Sequence, residues 1–322
     1  MSSLHETRAQ PSIVGVGQVQ RILALRTFSG FFRAPTEAVA ALAEHTEERF
    51  FERGSHLLTQ GLPVRSTHFL LRGAVEVRSE GKVLRTLGPR AAVGGLAVLA
   101  RDPRGYDLVA IDDTVTLELL AEDMWDIFED HFALVRGVMM AVARDLVDLR
   151  KRAGPSAGFS LEIKAPFSCP GCALNWVERL AFLRNTFHLE TADMEAMGVL
   201  ARETKEVRLA AGETLWTEGE PGRYSLMIIA GVVRCVSQET SQTFTFGPGD
   251  GVGFLDAVAS VPRWYTATSS EPVLALRLDI DLFHDVLEDH GELARALLQS
   301  LATAHLQLLG TTPESPSTRP PT

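Results

Sequence analysis

The chain alternates twice between two kinds of hydrophobic spacing. Val19, Ile22, Leu23 and Arg26 follow a helical period, and Thr36 is placed to cap a helix carrying Val39 and Leu42. Much later, Trp176, Leu180, Leu183 and Phe187 form a second helical stripe, with Thr191 placed to cap a helix carrying Met194 and Met197. After each helical opening the period shortens. Phe69-Leu70-Leu71 and Met227-Ile228-Ile229 are short apolar runs ending at Gly73 and Gly231, and Thr243-Phe244-Thr245-Phe246 alternates as a half-buried strand does. Each half then returns to helical spacing. In the first, Trp125, Phe128, Phe132, Val135, Met139, Val142, Leu146 and Leu149 form a heptad-like seam interrupted by Gly137; Phe283, Leu287, Leu298, Leu301 and Leu308 form a looser one.

The two halves are copies. Gly54, Gly61 and Gly73 recur 158 positions on as Gly212, Gly219 and Gly231. Gly88-Pro89, Gly94, Pro103-Arg104 and Asp130-His131 recur 159 positions on as Gly247-Pro248, Gly253, Pro262-Arg263 and Asp289-His290. Two copies at so long a period indicate a duplicated domain rather than a solenoid. Many short strands with glycine turns predict an α+β, mainly β chain: two tandem jelly-roll-like β-rolls, each flanked by N-terminal and C-terminal helices. The expected boundaries are 16–153 for the first domain and 173–310 for the second. Residues 154–172 form the linker, and 311–322, rich in Pro, Ser and Thr, a disordered tail.

Composition narrows the classes. With 322 residues, each copy is long enough to bury its own core. A formal charge of −10 argues against a protein that coats nucleic acid. No apolar run is long enough for a bilayer, and the opening residues carry no apolar signal segment. Three cysteines make no disulfide framework, so a cytoplasmic location is expected.

Helices, a glycine-marked β-roll, a Pro-Arg after the Gly94 or Gly253 turn and a closing helix pair together resemble the cyclic nucleotide-binding domain. Two copies in tandem resemble the regulatory subunit of cyclic-AMP-dependent protein kinase; one copy resembles the sensor half of catabolite activator protein. The resemblance implies a phosphate-binding cassette in each copy, with Arg104 and Arg263 as phosphate partners, since a guanidinium fork suits two phosphate oxygens. It places Gly94, Gly95, Gly253 and Phe254 at the ligand. There the chain departs from the family: Gly95 and Phe254 stand where a ribose-binding glutamate belongs. Losing one hydrogen bond to a charged group, about 1.5–3 kcal/mol, weakens binding more than tenfold. Tyr106 and Tyr265 follow the arginines in both copies. Two readings stand: the phenols donate to a ligand anion, or the rings fill a vacated pocket. Asp107 brings negative charge toward the first phosphate site. Asp256 is read as a sugar contact or a polar turn residue.

Cys169 and Cys172 form a CxxC pair before the second copy, readable as a structural turn or as a redox or metal site, with only Cys235 available besides. Motifs for an esterase elbow, a phosphate loop or a zinc protease are absent. The sequence is therefore read as a non-catalytic regulatory or sensor protein that takes no cofactor or metal, with a cyclic nucleotide such as cAMP as ligand and an unidentified protein partner. DNA and membranes are not expected partners. The alternatives are a ligand-independent scaffold or a thiol sensor built on Cys169 and Cys172. The seam from Val135 to Leu149 is expected to be buried against another helix, in the second copy or in a homodimer.

Overall fold

The computed structural model describes residues 17–102, 106–153, 173–186 and 194–311. The expected linker, residues 312–322 of the expected tail, Cys169, Cys172, Phe187, Thr191 and Arg104 lie outside them, while Thr311 closes the last helix. The first copy runs α1 (Gln18–Leu25), α2 (Thr36–Glu44), β1 (Thr46–Phe51), β2 (His56–Leu58), β3 (Ser66–Arg72), β4 (Val75–Ser79), β5 (Lys82–Leu87), β6 (Ala92–Val93), α3 (Gly95–Ala100), β7 (Asp107–Ala110), β8 (Thr114–Leu120), α4 (Ala121–Asp130) and α5 (Phe132–Ala153). The second runs α6 (Trp176–Thr186), α7 (Met194–Glu203), β9 (Lys205–Leu209), β10 (Thr214–Trp216), β11 (Tyr224–Ala230), β12 (Val233–Ser237), β13 (Gln242–Phe246), β14 (Gly251–Val252), α8 (Phe254–Ala259), β15 (Thr266–Ser269), β16 (Val273–Asp279), α9 (Ile280–Asp289) and α10 (Gly291–Thr311).

Each copy is a roll of two four-stranded sheets. The orders are β1-β8-β3-β6 and β2-β7-β4-β5 in the first copy, β9-β16-β11-β14 and β10-β15-β12-β13 in the second. The topologies are identical strand for strand, every pairing is antiparallel, and no sheet is shared. Registers match at the repeat offsets: Val75 faces Leu87 as Val233 faces Phe246. The alternating stretch 242–246 is β13, with Thr243 and Thr245 exposed and Phe246 buried.

Some local expectations change. Pro35, not Thr36, precedes α2 as its cap residue, and the Thr36 hydroxyl accepts from Arg26 Nη2 at 2.8 Å. Proline's fixed φ already prepares the helix start. Val19, Leu23 and Trp176 are exposed, while Leu25, Phe182 and Leu183 carry the burial. The closing run is two helices in each copy, broken at His131 and at His290, each in an extended conformation. The matched Asp-His pair is thus a corner. Gly137 has a packing role: a Cβ there would sit 2.0 Å from the Gly30 carbonyl oxygen, so only glycine lets α5 lie against that turn.

The closing helices define how the copies meet. The α5 helix of the first copy lies along α8 of the second, α10 lies along α3 of the first, and α5 and α10 lie along each other. Val135, Met139, Val142, Leu146 and Leu149 are all buried, as are Leu298, Leu301 and Leu308. The seam is therefore closed within one chain, the internal of the two expected arrangements. Polar contacts edge it: Arg144 Nε donates to the Ala259 carbonyl at 2.9 Å, Lys151 pairs with Glu239 at 2.8 Å, and Arg295 pairs with Glu129 at 2.9 Å while stacking over Trp125. Among the described residues no helix is long and apolar enough to cross a membrane.

Candidate functional site

The two cassettes share a backbone plan. In each, a short strand ends at a glycine of positive φ, Gly94 at 83° and Gly253 at 75°, and the chain turns at once into α3 or α8. An L side chain is strained at that φ. In the second copy it would also strike Arg263 Nη1 at 2.3 Å.

The two tyrosines do the same thing in both copies. The Gly94 amide donates to the Tyr106 hydroxyl at 3.2 Å, and the Gly253 amide donates to the Tyr265 hydroxyl at 3.0 Å. Each phenol oxygen occupies a cassette amide, so the pocket-filling reading describes them. Burial pushes the Tyr106 phenol up to about 12 and raises that of Tyr265 as well.

Arg263 in the second copy is consumed by the protein. It is 2% exposed. Nη1 donates to the Gly253 carbonyl at 2.7 Å and lies 3.4 Å from Asp256 Oδ2, and Nη2 donates to the Tyr224 carbonyl. The guanidinium carbon stands 4.0 Å from the centre of the Trp216 ring, a cation–π geometry. Burial raises the Asp256 carboxyl to about 6, against the pull of Arg263 and of Arg150 from α5. Asp256 thus turns to Arg263. Around them Phe244 stacks on Trp264 at 5.2 Å and meets Tyr265 edge-on at 5.1 Å, and Trp216 meets Tyr224 at 5.8 Å. Phe254, in the family's glutamate position, packs on Phe283. The cavity on the Gly253 side, bounded by Arg150, Phe254 and Tyr265, is about 40 Å³, apart from an outer groove of about 370 Å³ between Arg144 and Arg263. The inner volume is near the size of one water, not of a nucleotide.

The first copy is open. Its cavity is about 990 Å³, the upper end of the range for small-molecule sites. Register explains the difference. Trp216, Tyr224, Phe244 and Phe246 of the second copy correspond to Leu58, Ser66, Arg85 and Leu87 of the first, so the large fillers are missing. Val93, Gly95 and Tyr106 line this cavity. A Cβ on Gly95 would make only ordinary contact, 3.4 Å, with Thr67. Asp102 and Tyr106 are on the wall, and Arg104 lies outside the described residues. Asp107 Oδ1 accepts from the Gln60 amide at 2.8 Å, next to the β2–β7 edge.

Four wall residues were not singled out from the sequence. Thr67 on β3 is buried, and its hydroxyl has no hydrogen-bond partner. His305, Leu306 and Leu309 reach the same cavity from α10 of the other copy. His305 stands 159 positions after Leu146, its match in the repeat. Cys235 is buried in β12, which pushes its thiol well up and leaves it unreactive.

Two rolls of identical topology, each with a glycine-turn cassette, define a tandem small-ligand-domain architecture. The family profile of the cyclic nucleotide-binding domain matches residues 48–131 and 206–290, and the chain belongs to that family. A CRP-like cAMP-activated global transcriptional regulator of Mycobacterium tuberculosis is 31% identical over 111 residues, 33% of this chain and 50% of the relative. The chain thus spans about half the length of the curated relatives it matches. The regulatory domain of Toxoplasma gondii PKA, solved with cAMP, is similar over 89% of this chain and 96% of that one, at 17% identity and a TM-score of 0.34. The N-terminal domain of a transcriptional regulator from Streptomyces coelicolor A3(2) aligns with 42% of this chain and 99% of that one, at 26% identity and a TM-score of 0.37.

Proposed function

We propose that the chain is a non-catalytic regulatory protein in which the first copy senses a small ligand and the second is a ligand-independent structural partner. The domains are taken as 16–153 and 173–310, joined by 154–172. The observation that carries this reading is the contrast between a cavity of about 990 Å³ and one of about 40 Å³ on the same backbone plan. The ligand class is a cyclic nucleotide, held at Gly94 and Gly95 with Arg104 as phosphate partner. Without the family's carboxylate the affinity is modest. Family membership supports the class, and the Mycobacterium tuberculosis relative is a cAMP-activated regulator. The ligand state reaches a protein partner through α5 and α10, and the reading assigns the chain no DNA-binding step and a cytoplasmic setting. The second copy fits the scaffold alternative, because Arg263, Phe254 and Tyr265 are engaged within the protein.

Calorimetry with cAMP, cGMP and cyclic dinucleotides tests the reading. One site per chain is expected, abolished by Arg104→Ala and kept in Tyr265→Phe. Two sites per chain, or none with any of these ligands, overturns it.

A further inference from the structure

Two arginines set the open cavity apart from its counterpart. Arg85 stands where the second copy has Phe244, and Arg90 where it has Gly249. Both line the cavity of the first copy. Arg85 lies on β5 opposite Val77, as Phe244 lies opposite the buried Cys235, so it shares the interior-facing side of its sheet. Arg90 sits in the turn between β5 and β6 with a φ of 71°. Gly249 has 94° at the same place, a conformation that glycine adopts freely and arginine only with strain. Strain of that kind clusters at ligand clamps. Among the described residues neither guanidinium has a hydrogen-bond or contact ion-pair partner. Burial pushes the Asp145 carboxyl of α5 up, and Arg85 opposes that through its longer-range field.

We propose that Arg85 and Arg90 form a second anion-recognition point in the first-copy site, and that the ligand it fits is a cyclic dinucleotide, with one phosphate at the Gly94–Gly95 cassette and the other at these arginines. This rests on the reading of the first copy as the sensor and narrows its ligand. Size agrees: a cavity of about 990 Å³ has room for more than one nucleotide unit. Charge selects the kind of phosphate. Glu80, Asp102 and Asp145 also lie on the wall. A phosphate monoester carries about two negative charges at neutral pH and is repelled more strongly by these carboxylates than a diester, which carries one. A diester still offers its two free oxygens to the guanidinium forks. A cyclic mononucleotide spends its only phosphate at the cassette and leaves both arginines unpaired. The second copy has no such point, because the Phe244 ring fills the place of Arg85 and packs on Trp264 and Tyr265.

The test compares cyclic di-AMP and cyclic di-GMP with cAMP, by calorimetry on the full chain. At least one dinucleotide is expected to bind tenfold or more tightly than cAMP, at one site per chain. Combining Arg85→Gln with Arg90→Gly should cut that preference at least tenfold, since hydrogen bonds to a charged group are lost. Arg90→Gly alone installs the residue of the matching position and relieves the strained φ. It should weaken the preference several-fold while unfolding at no lower temperature than the wild type, so that the lost affinity is not lost fold. A wild type that binds cAMP at least as tightly as either dinucleotide, or a double variant that keeps the wild-type preference, overturns the inference and leaves the sensor reading standing. A wild type that binds none of the three, nor cGMP, overturns both.

Discussion

Replacing Arg263 separates a structural arginine from a phosphate-binding one. Arg263→Ala removes the donor to the Gly253 and Tyr224 carbonyls, the partner of Asp256 and the cation stacked on Trp216, at a side chain that is almost wholly buried. Taking away one partner of a buried ion pair costs about 3–5 kcal/mol. The pair here is loose, at 3.4 Å, and Asp256 already titrates near 6, so much of the loss comes from the two carbonyls rather than from the carboxylate. Against a typical total stability of about 5–15 kcal/mol, such a change is easily measured. For a unit of this size each kcal/mol moves the midpoint by about 2–4 °C, giving a drop of roughly 10 °C. Thermal unfolding followed by tryptophan emission is the assay. Arg263→Lys should fall between, since one ammonium cannot bond both carbonyls and stack as well. The loss should be smaller at pH 5 than at pH 8, because an unpaired Asp256 is accommodated once it is protonated. An Arg263→Ala protein with the wild-type midpoint and lost ligand binding would refute the structural role.

Asp256 makes stability depend on pH even with Arg263 present. Its folded value, about 6, lies above the unfolded one, so its favourable contribution is complete below about pH 4 and is lost as pH rises through 6. The change is on the order of 3 kcal/mol and should flatten in Asp256→Asn, as unfolding curves from pH 4 to 8 would show. Gly95→Glu restores the family's carboxylate where a Cβ has room, and should tighten cAMP binding more than tenfold by calorimetry; Phe254→Glu should confer none, since the second cavity stays filled. Gly137→Ala drives a methyl toward the Gly30 carbonyl and should cost about 1–3 kcal/mol in denaturant unfolding, with Ala133→Gly on the same helix as a propensity control.

What could be read from sequence was whatever repeats or has a local cause. Gly94 and Gly253 mark a backbone turn that nothing but glycine makes easily, so their spacing revealed both rolls and both cassettes. Tyr106 and Tyr265 were legible as a matched pair, yet their hydrogen bonds to the glycine amides depend on three-dimensional closure. The asymmetry between the cavities was hidden. It arises from four unremarkable differences on three strands, Leu58, Ser66, Arg85 and Leu87, which matter only because the register brings them to one interior. Thr36 failed as a cap because Pro35 had already set the helix start. Thr67 gave no signal at all, since an unsatisfied hydroxyl is defined by neighbours far away in sequence.

The exchange of closing helices has a consequence for how such a molecule can diverge. Were the two halves separate, identical chains, every replacement would appear on both sides of the twofold axis at once. A histidine facing one cavity would also face the other, and aromatic rings that close one roll would close both. Covalent fusion lifts that constraint. Leu146 and His305 can then sit in mirrored places with different chemistry, and one half can give up its own ligand to become a permanent wall for its neighbour. Cutting the chain between the halves would therefore leave each fragment without a face it borrows, and mixing the fragments should restore a one-to-one heterodimer rather than two working halves.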